Sequence, residues 1–414
     1  MEAREPAHRD EPPAGLAAGG VLRDRNLHLV FAVTLMAVLG VSSIAPALPK
    51  VGRVLDLTPQ ETGWLVTIFT LPGVALTPVA GVLADRFGRR RILVPALWVF
   101  ALAGAACALA GSVRMLLILR LIQGMGAASL GSLNVTVLGD LYQGRRRAAA
   151  MGYNAAVLSV GTAAYPALGG LLAQLHWRLP FALPLLAIPV ALAVQRLLRN
   201  PEPDGGGSLR EYFGAVGRGL RHRAILGIFT VSVVTFVLLY SAMIIYLPQL
   251  LDRRYHLAPA IIGIFLTGSS AVTGLVSWHL GKLSRRHGEG RLIRLGFLLF
   301  ALALVLVPVL PGPWALALPA ALFGAGMGLT MPSLMTMLAS LAPQAHRGAF
   351  MSLNGMVLRL GQTLGPLVGG LAYGLGGLDA PFLAGAVLAV ITFLLILATL
   401  PRRAAADGPA QESA

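Results

Sequence analysis

Charge is scarce in this sequence. Only 12% of its 414 residues are Asp, Glu, Lys or Arg, against about 25% in an ordinary soluble domain. A chain that is 56% hydrophobic cannot cover its surface with so few charges, so its solvent is lipid. Acids are scarcer still, 17 against 33 basic residues, and all of them fall in tails, loops or the ends of apolar runs. No Asp or Glu sits in the middle of any run, so no carboxylate is placed at mid-depth. There is one cysteine, Cys107, inside an apolar run, which excludes a disulfide framework and any Cys-based metal set. No His/Asp cluster of catalytic spacing is found, which argues against a membrane enzyme. The net charge of +16 does not indicate nucleic acid, because the arginines stand in short clusters between apolar runs and not on one polar face.

Long apolar runs are abundant. A helix crossing about 30 Å of hydrocarbon needs roughly 20 apolar residues. Twelve segments qualify: 27–48, 62–84, 92–110, 114–138, 148–174, 179–198, 224–250, 258–281, 291–310, 314–342, 348–374 and 380–400. In lipid the backbone must satisfy its own hydrogen bonds, so these are helices. The fold class is therefore an all-α membrane protein. The first run is too long for a signal-peptide core. Of the 33 basic residues, 25 lie in the tails, the loops and the adjoining span ends on one side, and 6 in the loops and span ends opposite. The positive-inside rule then puts both termini in the cytoplasm, and in a bacterium the membrane is the inner one. Anionic lipid is the expected partner of the basic face.

The chain repeats itself at an offset of 200. Residues 147–171 and 347–371 share 11 identities in 25 positions without a gap, among them Arg147/Arg347, Asn154/Asn354, Gly161/Gly361, Pro166/Pro366, Gly169/Gly369 and Gly170/Gly370. At the same offset Gly81, Leu83, Arg86, Gly88 and Arg91 meet identical residues in 281–291. Chance likeness of apolar helices does not match Asn, Pro, Gly and Arg at one spacing. The expected organisation is a tail (1–26), a six-helix bundle (27–198), a Gly-, Pro- and Arg-rich linker (199–223) with a basic helix within 208–221, a second bundle (224–400) and a tail (401–414). Parallel repeats place a pathway at their interface near the bilayer midplane.

Four motifs give the chain a family likeness. Gly81-x-x-x-Asp85-Arg86-x-Gly88-Arg89-Arg90 follows the second run. Arg120-x-x-Gln123-Gly124-x-Gly126 lies in the fourth. Gly161-x-x-x-Tyr165-Pro166-x-x-Gly169-Gly170 lies in the fifth, and Gly361-x-x-x-Gly365-Pro366-x-x-Gly369-Gly370 repeats it in the eleventh. Pro46-Ala47-Leu48-Pro49 ends the first. In these the chain resembles a major facilitator superfamily transporter, most of all the twelve-span drug:proton antiporter branch of bacterial multidrug efflux, over roughly residues 27–400.

The resemblance implies a gating cluster. Asp85 would cap the eleventh span near Arg347–Phe350, a sound place for a carboxylate, and Arg89 would pair with Asp140. It links Arg120 to proton coupling, with Arg120 and Gln123 facing a central cavity. A charge at that depth is usually functional, although an arginine so placed can also snorkel to the nearer surface. The glycine motifs imply close helix packing and a seal between the halves. Two departures stand out: Tyr165 replaces a glycine of the pattern, and Arg285 stands where the second copy would carry the equivalent of Asp85.

The resemblance also implies which spans line the cavity. They supply Met36, Ser42, Asn134, Phe236, Tyr240, Tyr246, Met327, Met331 and Met335, with polar points at Asn154, Asn354, Arg359 and Gln362. Such a Met- and aromatic-rich wall adapts to varied apolar ligands, while the asparagines could equally be interhelical partners. Arg359 lies near mid-membrane without an acid nearby in sequence, so its partner is an anionic group, a backbone carbonyl or the substrate. A positive interior suits neutral, zwitterionic or anionic amphiphiles better than cations. The expected activity is export of lipophilic or amphipathic small molecules by alternating access, with the proton gradient as driving force and no cofactor or metal. The alternatives are a lipid or lysolipid translocator and an uncoupled facilitator for an anionic metabolite. The chain is expected to be monomeric.

Overall fold

The computed structural model describes residues 21–199, 223–341 and 347–399. Both tails and the expected linker helix at 208–221 lie outside them.

Eleven helical segments are long and apolar enough to cross a membrane. The last, Leu353–Ala398, has 46 residues, about 69 Å at 1.5 Å per residue and far more than one crossing needs. It is two helices, parted at Gly377–Asp379 where Gly377 takes φ 71°, and they pack on each other as a hairpin. We number the helices α1 Arg25–Val54, α2 Pro59–Phe87, α3 Arg89–Ala108, α4 Val113–Leu141, α5 Gly144–Leu175, α6 Leu179–Leu197, α7 Arg223–Tyr255, α8 Pro259–His287, α9 Glu289–Val309, α10 Trp314–Leu341, α11 Arg347–Gly376 and α12 Ala380–Thr399. Among the described residues there is no strand.

Local chemistry sets the helix ends. Thr58 and Glu61 form a reciprocal capping box at the start of α2, with Pro59 in the first helical turn. Gly88, φ 96°, turns α2 into α3, and Gly288, φ 75°, turns α8 into α9. These two glycines are equivalent under the repeat, so both copies use the same left-handed turn at the same place.

Packing follows the repeat. In the first half α2 and α3 pack on α4, α1 on α5, and α3 on α6. In the second, α8 and α9 pack on α10, α7 on α11, and α9 on α12. Individual bonds repeat too. The Thr77 hydroxyl donates to the Ala128 carbonyl at 2.9 Å, and its counterpart in the second copy, the Ser277 hydroxyl, donates to the Gly328 carbonyl at 3.3 Å. The halves meet along two principal seams, α2 with α11 and α5 with α8. Some helices depart from regularity: α1 tightens to a 3₁₀ turn at Ala45–Ala47 and α6 at Leu183–Leu186, while α7 widens to a π-helix at Leu239–Tyr246.

Candidate functional site: the seam between the halves

At the basic end, Arg89 is buried between α2 and α4. Its Nε donates to Asp140 Oδ2 at 3.0 Å, and its Nη1 donates to Asp85 Oδ1. One guanidinium thus ties the α2–α3 turn to the foot of α4, wholly inside the first half. Arg90 reaches the Leu198 carbonyl at 3.5 Å, and Arg86 lies over Phe87 at 5.5 Å. Of the expected docking of Asp85 on Arg347–Phe350, the side chains of 347–349 lie outside the described residues. The second copy inverts the charges: Arg285 stands at the Asp85 position and Glu289 at that of Arg89. Glu289 accepts from the Ser284 hydroxyl at 2.6 Å.

Arg120 does not face a central cavity as expected, nor does it snorkel. It is 1% exposed, inside the first half between α1, α2 and α4. Its Nε donates to the Leu65 carbonyl at 3.1 Å; its Nη1 donates to the Gly40 carbonyl at 3.0 Å and to Gln123 Oε1 at 2.8 Å. The guanidinium also stacks 4.1 Å from the centre of the Phe69 ring. The physical reason is that main-chain carbonyl oxygens of the neighbouring helices lie within hydrogen-bond reach of the guanidinium. Gly124 permits this approach, because a Cβ there would overlap the Phe69 backbone. Asn134 and Asn154 are likewise interior. Thr34 donates to Asn154 at 2.5 Å and accepts from Asn134, which joins α1, α4 and α5. These asparagines are interhelical partners.

The α2–α11 seam is polar. The Thr363 hydroxyl donates to that of Thr70 at 2.9 Å, and the Thr67 hydroxyl donates to the Thr363 carbonyl at 3.4 Å. One turn along α11, Arg359 crosses from the second half to the first. Its Nη1 donates to Gln362 Oε1 at 3.2 Å and its Nη2 to the Ala127 carbonyl of α4 at 3.3 Å. Its stem lies on Gly73 of α2, where a Cβ would come within 2.9 Å of Arg359 Cδ.

The α5–α8 seam is mainly close backbone contact, with one side-chain bond, from the Ala167 N–H to the Thr267 hydroxyl at 3.1 Å. A Cβ on Gly263 would strike the Pro166 carbonyl, and one on Gly170 the Pro259 carbonyl. The repeat-equivalent partners meet on the other seam, where Gly63 faces Pro366 and Gly370 faces Gln60, at 3.3 Å and 3.0 Å from an added Cβ. Other glycines of the motifs pack within a half: Gly161 and Gly169 on α1, Gly361, Gly365 and Gly369 on α7. Tyr165, the departure from the pattern, is buried.

Opposite the basic end, the halves are clasped by an ion pair between Arg53 of α1 and Asp252 of α7. Lys50 donates to the carbonyls of Ala173 and Gln174 at 2.8 and 3.0 Å and so caps the end of α5. Sequence reasoning missed Arg53, Asp252, Gly63, Gly263 and Thr363. The available signal was the repeat itself, since Gly63 and Gly263 stand at its offset.

The expected cavity wall divides. Phe236, Tyr240, Met331 and Gln362 are half-buried, with the Phe236 and Tyr240 rings 6.1 Å apart. Met36 and Met327 are buried. Asn354 is buried against Met335 Sδ at 3.5 Å. Tyr246 has no exposed surface and stacks on Tyr373 at 5.8 Å, so it supports the wall and does not line it. Among the described residues no group of three or more His, Cys, Asp or Glu has metal-binding geometry.

The description "Major Facilitator Superfamily" belongs to the family model that matches residues 30–254 and again 228–413. The chain belongs to the major facilitator superfamily. Similar curated proteins include multidrug resistance protein 1 of Bacillus subtilis, 27% identical over 387 residues, with 91% of this chain and 97% of that one covered. The bacillibactin exporter of the same organism is 25% identical, covering 83% and 89%. The quinolone resistance protein NorA of Staphylococcus aureus is 23% identical, covering 88% and 94%. Among solved structures, the D-xylose-proton symporter superposes with TM-score 0.73 at 14% identity, over 91% of this chain and 98% of that one. At that identity the likeness is one of fold. As a member of this superfamily the protein is a multi-pass transporter of the inner membrane and not an enzyme.

Proposed function

We propose that this superfamily member exports lipophilic or amphipathic small molecules by alternating access, driven by the proton gradient. The observation that carries the reading is the arrangement of contacts between the halves. Backbone and threonine contacts run along both seams, and the Arg53–Asp252 clasp holds them at the end away from the arginine clusters. With the basic end in the cytoplasm, the clasp closes the outer end of the two halves, and separating those contacts would expose the interior to the outside. Support comes from relatives that carry the names of multidrug resistance proteins and an exporter. In this reading Asp85, Arg89 and Asp140 brace the cytoplasmic turn of the first half as it rocks. Arg120 holds α1, α2 and α4 together as one body. Phe236, Tyr240 and Met331 offer the cargo an adaptable surface.

Purified protein in liposomes, loaded with an amphipathic fluorophore and given an imposed pH gradient, tests this. Wild type should move the dye only with the gradient. Asp85→Asn and Arg120→Ala should abolish the flux while the helical signal persists. Full flux in both variants would refute the reading. One observation favours an uncoupled facilitator instead: no acid sits at mid-depth in any span to carry a proton. Flux indifferent to the gradient would select it.

A further inference from the structure

Two arginines, Arg120 and Arg359, lie within the membrane spans away from their ends, each followed three residues later by a glutamine, and each donates Nη1 to its glutamine's Oε1. Their surroundings differ in a way that bears on the cargo. Arg120 is closed off, 1% exposed, with three acceptors and an aromatic face around it and its Nη2 buried without a partner, where no cargo can reach it. Arg359 is half-buried, about 18 Å along α11 from its first residue, and its guanidinium emerges at the junction of α2, α4 and α11. It has five N–H donors, and among the described residues only two acceptors, both neutral: Gln362 and the Ala127 carbonyl. The four described ion pairs all lie at helix ends, and none includes Arg359. A cation at mid-depth without a counter-ion is expensive. The fold nevertheless makes room for it, since the stem rests where Gly73 has no Cβ. The Tyr240 side chain, part of the half-buried aromatic surface beside Phe236, is near enough to interact electrostatically with Arg359.

We propose that Arg359, with Gln362, is the recognition site for an oxyanion carried by the cargo, so that the transported class is anionic amphiphiles: a carboxylate, sulfonate or phosphate head on an apolar body. A charge-assisted pair from a fork to an oxyanion is stronger than one to a neutral carbonyl. The incoming head therefore displaces Ala127 from Nη2 and fills the open donors, while the apolar body lies on Phe236, Tyr240 and Met331. Because Arg359–Ala127 joins the second half to the first, the same exchange releases a contact between the halves when cargo binds. A cationic amphiphile meets like charge at low dielectric and is rejected. The inference rests on the export reading only in supposing that there is a cargo.

Equilibrium binding to the full chain in phosphatidylcholine nanodiscs tests it without any gradient, so failure of proton coupling and failure of this site are read separately. The probes share one skeleton: pyrenebutyrate, pyrenebutanol and pyrenebutylammonium. Wild type should bind the carboxylate at least tenfold more tightly than the ammonium, a difference of about 1.4 kcal/mol. Arg359→Gln should lose that preference, and Arg359→Lys should keep part of it. Arg359→Glu should reverse it in favour of the ammonium, a gain that misfolding cannot produce. Adding phosphatidylglycerol to the nanodisc separates the two sources of such a head. Competition with pyrenebutyrate in wild type but not in Arg359→Gln supports the site with a lipid as occupant. Absence of competition, with the tenfold preference intact, supports it with a free amphiphile. Equal affinity for all three probes in wild type, or a carboxylate preference that survives Arg359→Gln, overturns the proposal.

Discussion

The two seams between the halves use equivalent residues, yet they should respond very differently to the same substitution. In Gly263→Ala the new methyl would lie against the Pro166 carbonyl oxygen, 3.1 Å from its carbonyl carbon and 3.2 Å from Ala167 Cα. All three are backbone atoms on a helix that cannot turn aside, and ordinary contact requires α5 and α8 to part by roughly 1 Å. In Gly63→Ala, the matched change, the methyl comes 3.3 Å from Pro366 Cβ and 3.8 Å from the Pro366 carbonyl oxygen, so a few tenths of an ångström suffice. Overpacking of the first kind costs about 1–3 kcal/mol. The cost falls only on the state in which the seams are closed at the outer end. Gly263→Ala should therefore shift the equilibrium between outward- and inward-facing states by roughly 5- to 150-fold, and Gly63→Ala by less than about twofold. The assay is labelling of Thr67→Cys by an impermeant maleimide from outside the cell. Thr67 is buried against Thr363 while the seam is closed, and the native Cys107 has no exposed surface, so it stays silent. Labelling should accelerate strongly with Gly263→Ala and little with Gly63→Ala. Equal rates in the two backgrounds, or faster labelling in Gly63→Ala, would refute the assignment of the tight seam to α5–α8.

Other outcomes follow from the same geometry. Arg120→Lys should destabilise the protein by about 1–3 kcal/mol in thermal or denaturant unfolding, because one ammonium cannot reach the Leu65, Gly40 and Gln123 acceptors together and leaves a buried acceptor unpaired. Asp252→Asn should destabilise the protein by about 1–3 kcal/mol, since the Arg53 side chain is 54% exposed but the Asp252 side chain only 4%, and a buried carboxylate loses its charge-assisted bond. It should also raise Thr67→Cys labelling, and the exchange Arg53→Asp with Asp252→Arg should bring the rate back. Arg89→Ala should halt flux more completely than Arg90→Ala, because Arg89 holds two carboxylates and Arg90 a single carbonyl at 3.5 Å. Flux assays on the two variants decide that comparison.

The architecture was legible because lipid imposes a length rule and the repeat imposes a spacing rule. Both act on composition alone. The parting of α11 from α12 was readable for the same reason: Gly376-Gly377-Leu378-Asp379 interrupts a run too long for one crossing. The Arg89–Asp140 pair came from family likeness, and the structure places those two groups together. The Arg53–Asp252 clasp was not readable, because its members belong to different copies of the repeat and only the juxtaposed ends of α1 and α7 bring them together. The closure of Arg120 was hidden for a different reason. Two of its three partners are main-chain oxygens, of Gly40 and Leu65, and a carbonyl has no letter in a sequence. The π-helix at Leu239–Tyr246 was equally silent, since an unbroken apolar run gives no sign of a change in winding.

The seams have a bearing on descent. An arrangement in which α2 of one copy meets α11, and α5 of that copy meets α8, is what two identical six-helix subunits make around a two-fold axis, one patch used twice. While the subunits were identical, any mutation at that patch altered both joints at once, and neither could change alone. Fusion into one polypeptide removed the constraint. One joint is close backbone against backbone, at Gly263 with Pro166 and Gly170 with Pro259, with the single Thr267 hydroxyl bonded across it. The other was free to admit threonines and a charge at Thr70, Thr363 and Arg359. Covalent linkage thus let a single ancestral contact become a pivot on one side and a chemically selective surface on the other.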